Sequence, residues 1–175
     1  METTTKSKLA LKGVFTWEVH REGKLLYSDT FQNSFTNEGL NHILNTVIAG
    51  SAAVATWYCV LSETNTAAST ALTYAVPSFT ETTAYDEALR PAYQEAPASA
   101  QSITNAGTVA VFTISATKTM YGAGLVGGGT AGSTKANTAG GGYLLCYSLA
   151  GTSRAVVDND VINLTYVVSA ADDGV

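Results

Sequence analysis

The chain has 175 residues, a net charge of −5 and only 13% charged residues, well below the roughly 25% that is common in soluble domains. Its nine Lys and Arg residues are scattered along the chain, which argues against nucleic acid as a partner, because phosphate binding requires clustered positive charge. No run approaches the roughly 18 apolar residues of a membrane helix, and the N-terminal residues are too polar for a signal peptide. We therefore expect a protein made in a cytosol with no membrane partner.

The N-terminal part of the chain predicts an arm followed by a hairpin. Residues 1–12 are rich in Thr and Lys and are expected to form a flexible N-terminal arm. Residues 14–20 alternate between apolar and polar side chains, which predicts a half-buried strand whose inner face carries Phe15, Trp17 and Val19. A turn containing Gly23 follows, and residues 25–35 are predicted to return as the second strand.

The segment at about 37–49 is the one predicted helix. Its apolar side chains recur every three or four residues and form one stripe along the helix, made of Leu40, Ile43, Leu44, Val47 and Ile48. Thr36 or Asn37 is expected to cap the first turn, and Gly50 to end the helix. A helix this short needs support from packing, so we expect the stripe to lie against a sheet, with Leu44 in the core and His42 on the outward surface of the helix, facing solvent or a neighbour.

The rest of the chain indicates further strands separated by two long loops. Residues 57–61 are apolar on both faces, as in a central strand that is covered on both sides. Additional strands are predicted at 108–117, 143–149 and 161–169. The loop at about 63–102 contains all three prolines and is expected to include one or two short edge strands, whereas the loop at about 127–142 is rich in glycine. Residues 170–175 are predicted to form an acidic tail.

Together these elements predict a mainly β protein. We expect a single domain over residues 13–169, folded as an antiparallel β-sandwich of about eight strands, jelly-roll-like, with one α-helix. Cys59 and Cys146 each fall within an apolar strand. They are predicted to be buried and unpaired, as is usual in a reducing cytosol.

No pattern in the sequence indicates catalysis, a cofactor or a metal site. The glycine-rich loop lacks the Lys and Ser/Thr that directly follow the last Gly of a phosphate-binding loop, so we interpret it as a flexible surface loop. The sequence has no G-x-S-x-G motif, and its two histidines, His20 and His42, have no cysteine nearby in sequence for zinc. Asp158 and Asp160 supply too few oxygens for Ca²⁺ and are expected to cap a turn.

Acidic residues in the long loop are the remaining candidates for catalytic groups. They lie among tyrosines, which would suit a sugar-binding face or the paired acids of glycoside hydrolysis, and they comprise Glu81, Asp86, Glu87 and Glu95. A loop held in place by Tyr and Arg explains the same residues more simply. We therefore expect a protein that is not an enzyme.

Several segments occur in an order that resembles a known group of proteins. They are TNEGLN at 36–41, W-Y-x-V-L at 57–61, FTETTAYDEALRPA at 79–92, FTISAT at 112–117, the glycine loop, and D-x-D-V-I-N-L-T-Y-V-V at 158–168. In this order they resemble a group of small virion structural proteins of tailed bacteriophages, often encoded near the capsid genes. The resemblance covers about residues 17–168, although each motif is a strand, turn or helix-cap pattern. Asn159 stands where this group is expected to have Gly in a turn, and an Asn with positive φ can replace it.

Some members of this group are head decoration (cement) proteins with β-sandwich or jelly-roll folds. The resemblance therefore implies a non-enzymatic protein on the capsid exterior of the virion. Its partners would be the major capsid protein and further copies of itself, as a homodimer or homotrimer. A tail or fibre component that binds a receptor or glycan is the alternative.

The candidate interface residues lie in the first long loop. We predict that Tyr85, Arg90 and Tyr93 contact the partner, because Tyr and Arg are favoured at interface hot spots. The competing interpretation is that these residues fix the loop to its own domain.

Overall fold

The computed structural model describes residues 9–172 and contains one helix and ten strands in this part of the chain. The elements are β1 (Leu9–Arg21), β2 (Lys24–Gln32), β3 (Ser34–Phe35), α1 (Asn37–Val47), β4 (Trp57–Ser62), β5 (Ala92–Tyr93), β6 (Ser102–Thr104), β7 (Ala110–Thr113), β8 (Lys118–Gly127), β9 (Tyr143–Val156) and β10 (Val161–Asp172). The helix ends two residues earlier than predicted, and Gly50 has φ +69°, the left-handed conformation expected of a helix stop.

The strands form two antiparallel sheets. In the first sheet the order is β2–β1–β10, and both β6 and β7 pair with the other edge of β10. In the second sheet the order is β3–β9–β8–β4–β5. The predicted antiparallel sandwich with one helix is therefore confirmed, with two strands more than the eight expected because β3 and β5 have only two residues each.

The main core lies between the two sheets. The alternation along β1 and β10 places Phe15, Trp17, Leu164 and Tyr166 on the inner face, where each is fully buried, as the sequence pattern predicts. The Phe15 ring stacks on Tyr166 with 4.2 Å between ring centroids. Leu125 of β8 belongs to the same core cluster. Burying one such large apolar side chain contributes roughly 1.5–3 kcal/mol, so this layer accounts for much of the stability.

The second sheet is covered on its outer face as well. Val60 of β4 and Tyr147 of β9 point away from the main core into a second cluster, which also contains Leu72, Tyr74 and Phe79 from the long loop. Phe79 stacks on Tyr147 at 4.2 Å between centroids. The prediction that β4 is a strand covered on both faces is confirmed. We call residues 72–79 the cover segment, because they form this outer layer.

The two cysteines are buried and free, as predicted. In the register of the second sheet, Cys59 of β4 and Cys146 of β9 both lie opposite Leu125 of β8. Their Cα atoms are therefore two strand spacings apart, about 9–10 Å, which exceeds the roughly 7 Å that a disulfide can span.

The ends of the domain differ from the prediction. β1 starts at Leu9 and pairs with β10 as far as Asp172, so the flexible arm predicted at 1–12 and the tail predicted at 170–175 are wrong for residues 9–12 and 170–172. Residues 1–8 and 173–175 lie outside the described part of the chain. The strand extends this far because Leu11 continues the alternation that Phe15 belongs to, which favours continued pairing.

The first turn of α1 is held against β9 by hydrogen bonds to the β9 backbone. The Thr36 hydroxyl accepts a bond from the Gly39 amide at 2.9 Å, which makes it the N-cap, and donates to the Leu144 carbonyl. The Thr36 amide donates to the Leu145 carbonyl at 3.1 Å, and the Glu38 carboxylate accepts from the Leu144 amide at 2.7 Å. Gly39 lies so close to β9 that a Cβ there would overlap the Leu145 carbonyl oxygen and lie 2.7 Å from its Cα.

The helix packs with a different face from the one that its apolar pattern predicts. Gly39 and His42 are its buried residues. The His42 ring stacks on Tyr143 at 4.1 Å and meets Trp57 edge-on at 5.8 Å between centroids. Because an α-helix has 3.6 residues per turn, the centre of the apolar stripe lies roughly a third of a turn away from the face that Gly39 and His42 bury. The predictions that Leu44 is in the core and that His42 faces outward are therefore wrong, because ring stacking and the close approach at Gly39 set the rotation.

Candidate functional site

The three predicted interface residues lie inside the domain. Tyr85, Arg90 and Tyr93 are only 3%, 4% and 5% exposed, so their side chains offer almost no surface to a partner. The prediction that they form a partner interface is wrong for the folded chain, and the competing interpretation, that they fix the loop to its own domain, agrees with their contacts.

Arg90 joins the first long loop to the glycine-rich loop. Its guanidinium donates to the Glu81 carboxylate at 2.9 and 2.6 Å. It also donates to the carbonyl oxygens of Gly132 at 2.8 Å and Asn137 at 3.0 Å, and more weakly to the Tyr74 hydroxyl at 3.4 Å. Burial opposes the positive charge of Arg90, but hydrogen bonds and the charge of Glu81 outweigh it and raise the Arg90 pKa. All five N–H groups of the guanidinium are engaged, so this site has no donor left for a ligand.

Tyr85 and Tyr93 also attach the first long loop to the rest of the domain. The Tyr85 ring meets Phe112 edge-on at 5.1 Å between centroids, and the Lys135 ammonium lies 3.8 Å from the Tyr85 centroid on the ring face. The Tyr93 hydroxyl donates to the Tyr166 carbonyl at 3.2 Å. The glycine-rich loop, which the sequence suggested was flexible, is therefore attached to the domain through Lys135 as well as through Arg90.

Two of the four acidic candidates for catalysis, Glu81 and Glu87, have structural partners. Glu81 is paired with Arg90, and the Glu87 carboxylate accepts bonds from the amide and the hydroxyl of Thr113 at 3.0 and 2.9 Å. These contacts hold the Glu81 carboxylate within the loop and attach the Glu87 carboxylate to β7. Within residues 9–172, no group of three or more His, Cys, Asp and Glu side chains is arranged to hold a metal ion.

Asp160 caps its turn, as predicted. Its carboxylate accepts two hydrogen bonds from the Arg21 guanidinium, at 2.7 and 2.8 Å, and one from the Val157 amide at 2.8 Å. The bond from Arg21 is the largest of the effects that hold the Asp160 pKa below its usual value. Asn159 has φ +67°, which confirms that this residue adopts the conformation expected of a glycine.

The candidate functional site is an apolar face that the rotation of α1 leaves exposed. Four of its side chains are mostly accessible: Leu9 is 75% exposed, Leu44 59%, Val47 73% and Ile48 80%. We call Leu44, Val47 and Ile48 the ridge, because Val47 and the C-cap residue Ile48 lie three and four residues after Leu44 and are therefore both neighbours of Leu44, about one helical turn further on. Apolar side chains exposed in such a group mark interaction sites more often than single exposed leucines do.

A groove adjoins this ridge. It has a volume of about 520 Å³ and is lined mainly by apolar side chains from the start of β1, from β3 and from α1, namely Leu9, Leu11, Phe35, Leu40, Ile43 and Leu44, together with Asn33. β1 positions one wall, because Leu9 and Leu11 lie on the same face of the strand as the core residue Phe15. The sequence contained a signal for this wall, because both leucines continue that alternation into the segment predicted to be a flexible arm.

The part of the ridge and groove that α1 supplies is uncharged. Residues 39–62 contain no Asp, Glu, Lys or Arg, and the carboxylate of the preceding Glu38 is engaged by the backbone amides of Tyr74 and Leu144. Lys12 of β1 lies on the opposite face of the strand from Leu11. Among the described residues, none of the side chains that line the groove or form the ridge is charged, so the site can bury apolar surface.

A search of protein-family models and a search of curated proteins found no match to this sequence. In the part of the chain that the structure describes, no helix has the length and apolar character needed to cross a bilayer.

Proposed function

We propose that this chain is a non-enzymatic structural protein of a tailed-phage virion, and that it decorates the exterior of the capsid. The observation that carries the proposal is the uncharged apolar face formed by the ridge and groove beside α1. Water-exposed apolar surface of this kind gains free energy when another protein covers it. A protein with such a face is suited to assembly.

The rest of the fold suits a mechanical role. Both faces of the second sheet are packed, and Arg90 holds the two long loops together by ion-pair and carbonyl contacts. A domain held this way docks with little loss of conformational freedom, which favours binding. A bound decoration protein then stabilises the capsid, because it binds the assembled lattice and shifts the equilibrium toward it.

The phage assignment is supported by the resemblance of the ordered motifs between residues 17 and 168. That resemblance favours a virion structural protein over an enzyme or a signalling domain. A tail or fibre component is the second candidate function, because the same resemblance supports a virion structural protein of either kind. The two differ in copy number, because a decoration protein occupies every lattice position of one kind, whereas a tail component is present in far fewer copies.

Co-sedimentation tests the proposal. Purified protein is mixed with capsids assembled without it, the particles are pelleted, and the bound copies per particle are counted by quantitative gel electrophoresis. We expect saturable binding at a stoichiometry that matches the number of capsomers. Protein that stays in the supernatant with capsids but co-purifies with isolated tails would replace the decoration proposal with the tail assignment, and binding to neither would refute both.

A further inference from the structure

We propose that the ridge and groove form a self-complementary interface, through which two copies of this chain associate as a twofold homodimer. The ridge is Leu44, Val47 and Ile48, and the groove runs between α1 and the start of β1. This inference goes beyond the proposed function, because such a dimer would form in solution without any capsid.

The shape of the surface favours a second copy as the occupant. A twofold interface uses the same patch on both subunits, so the patch must carry both a projecting part and a recess that accepts it. Here the two parts adjoin and share Leu44, which belongs to the ridge and also lines the groove. A twofold axis near Leu44 would place the ridge of each copy in the groove of the other. Val47 and Ile48 are 73% and 80% exposed and do not line their own groove, so they are free to fill the partner's groove.

The charge distribution points the same way. The chain carries a net charge of −5, so two copies repel each other over most of their surface. Contact is least opposed at a face without charges, because like charges brought together at an interface are strongly unfavourable. The ridge and the described lining of the groove provide that face, because none of their side chains is charged. These side chains offer no charge with which a partner of opposite charge could pair.

The apolar area is sufficient for a specific but modest interface. Burying a Val, Leu or Ile side chain removes roughly 60–120 Å² of apolar surface from water. Leu9 and the three ridge residues are each more than half exposed, so they contribute on the order of 300 Å² per copy and about 600 Å² per pair by the same conversion. Because interfaces are about 60% apolar, this corresponds to about 1,000 Å² in total, near the lower limit of specific interfaces. We therefore expect a dimer that dissociates in the micromolar range.

The test compares the wild-type chain with two variants by sedimentation velocity over a micromolar concentration series. The double variant Val47→Lys/Ile48→Lys places four positive charges in the proposed interface. The matched control Val76→Lys adds a charge at another exposed valine, 66% exposed and within the cover segment. We expect the wild type and the control to dimerise, and the double variant to weaken association by at least about a hundredfold. Thermal melting should be nearly unchanged in all three, because every substituted side chain is exposed.

Several results would overturn the inference. A wild type that remains monomeric at the highest concentration would do so, as would a double variant that dimerises as well as the control does. A trimer that the same lysines abolish would refute the twofold arrangement. If the double variant does not fold, the single variants Val47→Lys and Ile48→Lys are judged by the same criteria.

The same proteins separate this inference from the proposed function. If the wild type is monomeric yet sediments with capsids, and the double variant does not, the face binds the capsid and the dimer inference fails alone. If the wild type dimerises through this face but binds neither capsids nor tails, the proposed function fails and the dimer stands.

Discussion

Replacing Gly39 with alanine tests how α1 is attached to the second sheet. In an ordinary helix this change is stabilising by up to about 1 kcal/mol, because alanine has the higher helix propensity. Here a Cβ would overlap the Leu145 carbonyl oxygen and lie 2.7 Å and 2.9 Å from the Cα and the carbonyl carbon of the same residue. These neighbours are backbone atoms of the paired strand β9, so they cannot turn away as a flexible side chain could.

The expected cost follows from the movement needed to relieve this overlap. Overpacking of this kind costs typically 1–3 kcal/mol. Moving the helix away also weakens the bonds from the Leu144 amide to Glu38 and from the Thr36 amide to Leu145. A neutral hydrogen bond contributes about 1 kcal/mol, and one to a carboxylate about 1.5–3 kcal/mol. After the gain in propensity is subtracted, we expect Gly39→Ala to lower the free energy of unfolding by about 2–4 kcal/mol.

Urea unfolding followed by tryptophan fluorescence measures this change, with circular dichroism as the second probe. Gly107→Ala is the matched control, because a Cβ at Gly107 meets no atom within 4 Å. That control should leave stability unchanged or raise it slightly, since alanine restricts the unfolded chain. A Gly39→Ala variant as stable as the wild type would refute the argument that close backbone approach fixes the rotation of α1.

Three further predictions concern buried polar groups and thiols. Glu81→Gln should lower the free energy of unfolding by about 3–5 kcal/mol, because it leaves a buried guanidinium without its counter-ion. Glu63→Gln, at a partly exposed pair with a lysine 2.9 Å away, should cost no more than about 1 kcal/mol, and equal losses in urea titrations would contradict the distinction. The pKa of Asp160 is lowered in the folded state. Its ionised form therefore contributes stability at pH values above its unfolded pKa of about 3.9, and that contribution disappears as the pH falls through its folded pKa. The stability difference between wild type and Asp160→Asn should therefore be largest at neutral pH and shrink below about pH 4, whereas a difference that grows on acidification would reverse the assigned sign. Cys59 and Cys146 should resist a thiol reagent in the native protein and should both react after denaturation. The reason is that burial raises the pKa of Cys146 to about 12 and likewise raises the pKa of Cys59. A protein mass that increases by about two daltons on reduction would instead reveal a disulfide.

The strands β1, β4 and β10 were predictable because each has one strong, local signal. Alternation placed Phe15, Trp17, Leu164 and Tyr166 correctly, since a strand with one buried face allows only one assignment of its side chains. The two-sided apolar run at 57–61 identified a strand covered on both faces. What covers the outer face was not predictable, because the cover segment shows no regular period and is held by aromatic contacts with residues far away in sequence.

The orientation of the helix was not predictable from its apolar stripe. Hydrophobic periodicity assumes that the most apolar face is the buried one. In this protein two residues make the contact between α1 and the second sheet. Gly39 has no side chain and so allows the close approach to β9, and the His42 ring stacks on Tyr143. Neither property enters a hydrophobicity pattern, so the pattern correctly found the helix and predicted the wrong buried face.

The burial of the three loop residues has a similar explanation. Tyr85, Arg90 and Tyr93 are of residue types that suit both a partner interface and internal attachment of a loop. For Arg90, the choice between a partner interface and internal attachment depends on where the carbonyl oxygens of Gly132 and Asn137 lie, more than 40 residues further along the chain. Only the tertiary fold brings those acceptors to Arg90, and the apolar face beside α1 becomes visible only when the rotation of the helix is known.

The pairing of β1 with β10 has a consequence for the order in which the chain folds. The two strands join residues about 150 positions apart, so the first sheet cannot form until the last strand has been synthesised. Until then the β1–β2 hairpin must hold Phe15 and Trp17 against an incomplete core. Folds built on such distant contacts form slowly, because a long loop must close before the contacts stabilise it. During this delay an unpaired strand edge is prone to aggregate, and β10 completes the sheet by occupying that edge of β1.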